Sequence, residues 1–160
     1  MNIFYLSHCP KKAAQVQYNK HVVKMILETA QLLCTAHHEL GTDIDIPYKA
    51  THKNHPSAIW TRQSRSNYAW LYFHMMALGK EYKKRYNKEH LTITKCRDVL
   101  SQVPGPIFNT GLTDMPQCMP DEYKVENDSV AAYRNYYINE KAHCANTNKE
   151  VLYTCASQFE

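Results

Sequence analysis

The chain has 160 residues and a formal net charge of +4, with 44% hydrophobic and 21% charged residues. That length and apolar content suit one domain closed around a single core and exclude a disordered chain. Four glycines and no internal period exclude collagen-like and repeat architectures, and no apolar run approaches the ~18 residues of a membrane span. The first residues, with His8, Lys11 and Lys12 close behind, do not form a signal-peptide core, so an intracellular protein that does not enter a membrane is expected.

In chain order, Ile3–Leu6 reads as an edge strand or an extended N-terminal arm. From about Lys11 to Leu40 there is no Pro or Gly. Val16, Val23, Ile26, Leu27, Ala30, Leu33 and Cys34 recur there at helical spacing, so one long helix stopped by Gly41 is expected. Residues 42–56 read as a loop, with Asn54 or His55 capping a second long helix from Pro56 to about Tyr86. A shorter helix opens at Thr92 or Thr94, Pro104-Gly105-Pro106 ends it, and 107–121 is an irregular Pro-rich stretch. A last helix is capped near Asp128 or Ser129 and carries Val130, Tyr133, Tyr137 and Ile138. The expected fold is mostly α: a single helical domain over residues 1–160.

Six cysteines, at 9, 34, 96, 118, 144 and 155, show no C-x-x-C or zinc-finger spacing and read as reduced packing residues. Nine histidines invite a metal reading. However, there is no H-E-x-x-H and no adjacent His-Asp pair, and consecutive His37 and His38 point about 100° apart on a helix. No metal and no cofactor is expected. His55-Pro56-Ser57 and His90-Leu91-Thr92 fit an H-x-[ST] pattern that arises by chance at this histidine content. Cys118 is a possible nucleophile without a partner pattern.

Three groups of residues can carry chemistry. On the first long helix His21, Lys24, Glu28 and Gln31 fall within an arc of about 80°, a polar stripe on an otherwise apolar segment. That stripe either faces solvent or lines a cleft. The loop of His52, Lys53, Asn54 and His55 crowds donors ahead of a helix N-terminus, where an anion is favoured, and Arg62 follows within two turns. Lys83, Lys84 and Arg85 lie in a dense basic stretch, Lys20 in a second one, and Arg134 and Lys141 flank a Tyr-rich C-terminal block. Cations among planar rings attract polyanions such as nucleic acid.

Lys20-His21-x-x-Lys24 with Glu28 and Gln31, Lys53-Asn54-His55-Pro56 with Trp60, MPDEYK at 119–124 and YRNYY at 133–137 together resemble a group of small, uncharacterised phage-encoded proteins. More distantly, the layout resembles the pyrimidine-dimer DNA glycosylase/AP lyase family of the endonuclease V type. Its members are small, mainly helical, and carry a His seven residues before a catalytic Glu, as His21 and Glu28 are spaced here. The resemblance implies attack on the sugar C1′ by an amine, with damaged duplex DNA as partner, no membrane, and the host-cell cytoplasm as location. The chain departs from the family in two ways. The Arg before the catalytic Glu is Leu27, and the basic residue three positions after it is Gln31. Asn2 also disfavours removal of Met1, so the amine is that of Met1 or of Lys24.

The expected chemistry is therefore a Schiff-base glycosylase/lyase. Glu28 is its carboxylate, Met1 or Lys24 its amine, and His21 a substrate-orienting or proton-relaying group. Lys53, His55 and Arg62 are expected to hold phosphates, and Lys83, Lys84 and Arg85 to supply salt-dependent affinity. Two alternatives stand beside it. One is a non-catalytic phage protein that captures a nucleotide signal or host partner in counter-defence. The other is a nucleotide- or DNA-base-modifying enzyme using the His-rich loop.

Overall fold

The computed structural model describes residues 2–144, and among them every regular element is helical. In chain order these are α1 (Pro10–Gln15), α2 (Asn19–Glu39), α3 (Pro56–Gln63), α4 (Arg65–Tyr86), α5 (Leu91–Cys96) and α6 (Ser129–Glu140). Single 3-10 turns cover Asp121–Tyr123 and Ala142–Cys144. None of the described helices is long and apolar enough to cross a membrane.

The two long helices expected from periodicity are each broken once. The first breaks over residues 16–18, where Gln17 and Tyr18 are fully buried without Pro or Gly. The backbone groups freed by the break are taken up from far away in the chain. The Tyr18 amide donates to the Tyr137 hydroxyl at 2.7 Å, and Arg85 donates to the carbonyls of Gln17 and Gln15 at 2.7 and 2.9 Å. The second breaks at Ser64, which is extended at φ −145° and ψ 145°. Its hydroxyl accepts from the Ser66 amide, capping α4, and donates to the Gly111 carbonyl at 2.6 Å. Asn67 then satisfies the end of α3 by donating to the Trp60 carbonyl.

α2 and α4 form the central pair, with α1 against α4, α3 against both, and α5 across their other end. The buried face of α2 includes Val22, Met25, Ile26, Ala30, Leu33 and Cys34, whereas Val23 and Leu27, expected on that stripe, are exposed, because the face turns toward Val22 and Met25. Gly79 lets α5 rest on α4, since a Cβ there would come within 2.8 Å of the Ile93 side chain. Gly41, at φ +63°, ends α2, and Asn87, at φ +53°, ends α4.

The N-terminal segment is an extended arm, with no strand partner among the described residues. Ile3, Phe4, Tyr5 and Leu6 are all buried, each gaining about 1.5–3 kcal/mol from leaving water. Phe4 packs on His21 and Tyr137, Tyr5 packs on Trp70, and Arg134 of α6 donates to the Leu6 carbonyl at 2.9 Å. The Pro-rich stretch is irregular, as expected, but firmly held. The Trp60 indole donates to the Thr113 carbonyl, Asn67 accepts from the Thr113 amide, and Gln117 and Val125 exchange two bonds. Asp128 caps α6 by accepting from the Ala131 amide.

The cysteines among the described residues are free thiols, and Cys155 lies outside them. Buried Cys96 hydrogen-bonds Cys34, which lowers the titration of Cys34 and raises that of Cys96. Both H-x-[ST] fragments are caps: His55 Nδ1 accepts from the Ser57 amide and His90 Nδ1 from the Thr92 amide, each at 3.2 Å.

Buried His74, which donates to the Pro10 carbonyl and lies 3.1 Å from Gln17, is pushed down to about 4 by burial. His21 is held at about 4 by burial and by the charges of Lys141, Lys24 and Lys20. Both take up protons more readily when unfolded, so their contribution is complete above pH ~6.5 and is lost as pH falls toward 4. The thermal midpoint is expected to fall across that window, each histidine accounting for up to about 3 kcal/mol. A His74→Gln variant should show a shallower pH slope in the same melting series.

Candidate active site

The polar stripe of α2 lines a pocket. Asn2, Phe4, His21, Lys24, Met25, Glu28, Tyr136 and Lys141 enclose about 270 Å³ between the arm, α2 and the end of α6. Glu28 projects into it with its side chain 17% exposed, and Lys24, 69% exposed, pairs with it at 3.2 Å. His21 is buried, stacked on Phe4 at 4.6 Å between ring centroids, with Nδ1 2.7 Å from the Tyr137 hydroxyl. Its depressed titration makes the ring neutral at neutral pH, suited to directing a hydrogen bond rather than to carrying a proton as imidazolium.

Asn2 is fixed in the wall. Its side-chain amide donates to the Cys118 carbonyl at 3.0 Å, while its Oδ1 accepts from the Ile3 amide and lies 3.0 Å from the Tyr133 hydroxyl. That phenol also accepts from the Cys118 amide and sits 2.8 Å from the Pro116 carbonyl. α6 therefore anchors the start of the chain beside Glu28. Met1, one of the two amine candidates, lies outside the described residues.

The His-rich loop lies along the same helix. Buried Thr35 of α2 accepts from the Thr51 amide at 3.1 Å, Lys53 approaches Glu39 at 3.8 Å, and His38 donates to the Tyr48 carbonyl. His52 adopts φ +48° with Nδ1 2.7 Å from the Thr51 hydroxyl, and Asn54 is exposed. His55 is pushed down by burial, and the Glu28 carboxylate pulls the other way. The cap of α3 and the carboxylate of α2 therefore feel each other's charge.

The remaining expected binding residues divide. Lys20 is exposed at the start of α2, its charge bearing on His21, and Gln31 is half-buried one turn beyond Glu28. Lys141 reaches the pocket with its ammonium 4.9 Å over the Tyr136 ring. Arg62 is half-buried with Nη1 sequestered from solvent and unpartnered in the described structure. Lys83 and Lys84 are exposed, Lys83 pairing with Glu89 at 3.4 Å. Arg85 turns inward to Glu81, Asn19 and the residue 15–17 corner, and Arg134 turns inward to the Leu6 carbonyl. Cys118 sits with its sulfur 3.7 Å from the Ser57 hydroxyl. Among the described residues no cluster of three or more His, Cys, Asp or Glu is placed to hold a metal ion.

Asn2, Phe4, Met25 and Tyr136 line the pocket without being expected there as site residues from the sequence. Asn2 and Phe4 belong to an arm whose partners include Cys118 and Tyr137, more than a hundred residues away, and Tyr136 is one of three tyrosines in a five-residue block. No local spacing marks any of them.

Residues 1–94 match the family model of pyrimidine dimer DNA glycosylase, and the chain belongs to that family. At the family level its function is that of a DNA glycosylase, with DNA as the substrate class. No curated protein and no solved structure matches the chain. The matched span includes His21, Lys24, Glu28 and His55; Tyr136 and Lys141 lie beyond it.

Thr35→Val removes the acceptor of the Thr51 amide and keeps the side-chain volume. It should cost about 1–3 kcal/mol of stability and raise the hydrogen-exchange rate of Thr51 well above that of the α2 core. Exchange measured by NMR on both proteins checks this.

Proposed function

We propose that the chain is a DNA glycosylase/AP lyase that works on damaged or modified duplex DNA through an amine-derived Schiff base, with Glu28 as the carboxylate. The observation that carries the reading is the convergence of Glu28, Lys24, neutral His21, Lys141 and Asn2 on one 270 Å³ pocket in a member of this family. The amine is that of Met1 or of Lys24. Lys24 spends its ammonium on Glu28 at 3.2 Å, which favours the α-amine of Met1, the sequence neighbour of the pocket-lining Asn2.

In the glycosylase step the nitrogen lone pair attacks C1′, and the base departs with the electrons of the glycosidic bond. The sugar ring opens to an imine, and Glu28 moves the protons and offsets the positive charge that develops on the sugar. In the lyase step the imine acidifies C2′, a proton is lost to a base, and the 3′ phosphate leaves. Neutral His21, directed by Tyr137, orients the sugar. Lys20, Lys141, His52, Lys53, Asn54, His55 and Arg62 receive the flanking phosphates, and Lys83 and Lys84 add affinity that weakens with salt.

Glu28→Gln is expected to lower strand cleavage of duplexes carrying a cyclobutane dimer or an abasic site at least about 100-fold while leaving duplex affinity within a few-fold. Borohydride should trap the wild-type protein covalently, with peptide mapping locating the adduct on Met1 or Lys24. Unchanged cleavage in Glu28→Gln, or no adduct on either substrate, would sink the mechanism and favour a binding protein without turnover.

A further inference from the structure

Phe108 is the most exposed large apolar side chain among the described residues, at 83%, and it does not sit on a loose loop. The Arg65 amide donates to its carbonyl at 3.1 Å. Its neighbour Asn109 accepts through Oδ1 from the Ser66 hydroxyl at 2.8 Å and the Gly111 amide at 3.3 Å, and Ser64 donates to the Gly111 carbonyl at 2.6 Å. Buried Ile107 and Pro104 hold the other side. The fold thus braces a loop against the α3–α4 corner and leaves one aromatic ring standing in solvent. A single exposed Phe is ordinary on a protein surface; one held out by this many bonds differs in presenting a preorganised ring.

The segments that form the corner and the loop carry charge of one sign. Residues 56–80 and 99–113, which form the corner and the loop, contain no Asp or Glu. Arg65 is exposed and, like Arg62, makes no ion pair among the described residues. Arg62 adds a guanidinium nitrogen without a partner. Asp114, the next acidic residue after the loop, bears on Tyr5. The first turn of α3 lies by Cys118, which holds Asn2 in the pocket wall, and its last turn ends at Ser64. At about 1.5 Å per residue α3 is roughly 12 Å long, the length of three to four base-pair steps.

We propose that Phe108 is a stacking wedge, inserted against the bases of the bound duplex a few steps from the reacting nucleotide, with Arg65 and Arg62 on the adjoining phosphates. The proposal rests on the DNA reading above but assigns a contact outside the family-matched residues. An enzyme that reaches C1′ has to unstack its target, and an aromatic side chain that replaces lost base stacking offsets that cost.

The test is anisotropy titration of a labelled duplex carrying a tetrahydrofuran abasic analogue, using wild type, Phe108→Ala, Phe108→Trp and Arg65→Ala. Phe108→Ala should weaken binding about tenfold or more with an unchanged thermal midpoint. Phe108→Trp should bind like wild type with emission quenched by DNA, and Arg65→Ala should reduce the salt slope by about one. Phe108→Ala binding within twofold of wild type, or no duplex binding by wild type, overturns the wedge. So does a wild-type dimer abolished by Phe108→Ala with DNA affinity intact, which assigns the ring to a second copy of the chain. Borohydride trapping of wild type, run in parallel, reads the lyase chemistry separately, so a failed wedge and a failed lyase give different results.

Discussion

A buried amide at the start of a helix must find an acceptor or cost about 1–3 kcal/mol. In this chain the amide of Tyr18 finds one 119 residues away, on the hydroxyl of Tyr137. That bond allows the chain to turn between α1 and α2 rather than run on as one helix. The same oxygen meets His21 one turn into α2, so the corner and the pocket share an atom. Phe4 packs against both rings, which buries the arm and brings Asn2 alongside Glu28. Fixing Tyr137 also fixes the register of α6, whose other residues then deliver Tyr136 and Lys141 to the pocket.

The site is consequently not a property of the family-matched segment alone. Residues 1–94 supply the carboxylate, the histidine and the capped loop; the C-terminal helix supplies a wall and a cation. Electrostatically the pocket balances two effects. Burial and three lysines keep His21 uncharged, while Glu28, partly shielded and paired with Lys24, remains the one acid on the lining. The lining carries the ammonium groups of Lys24 and Lys141 against one carboxylate, so a phosphodiester approaching the mouth meets net positive charge.

Much of this was legible in the sequence, and what was not has a physical reason. The stripe of His21, Lys24 and Glu28 shows because helical periodicity is local, and Gly41, His55 and Asp128 show as stop and caps because their chemistry is local too. The breaks at 16–18 and at Ser64 do not show, because most of the groups that make them tolerable, Tyr137, Arg85 and Gly111, are distant in sequence. Residue type also misleads about exposure. Arg85 and Arg134 read as surface cations, yet each spends its guanidinium on carbonyls of the fold, whereas Lys83 and Lys84 beside Arg85 stay in water. One arginine in a basic stretch and one in the Tyr-rich block therefore add rigidity where a charge count would have assigned affinity.

Asn2 is tied by its side chain to Cys118 and Tyr133 and forms part of the pocket wall. Anything joined to the chain ahead of it therefore begins at the rim of the cavity rather than on a remote surface. An amino-terminal affinity tag would enter the fold through Asn2 in the pocket wall and convert the α-amine of Met1 into an amide. Protein prepared that way is a different molecule chemically. Under the proposed mechanism with Met1 as the amine, tag removal that regenerates Met1 belongs to the chemistry as well as to purification.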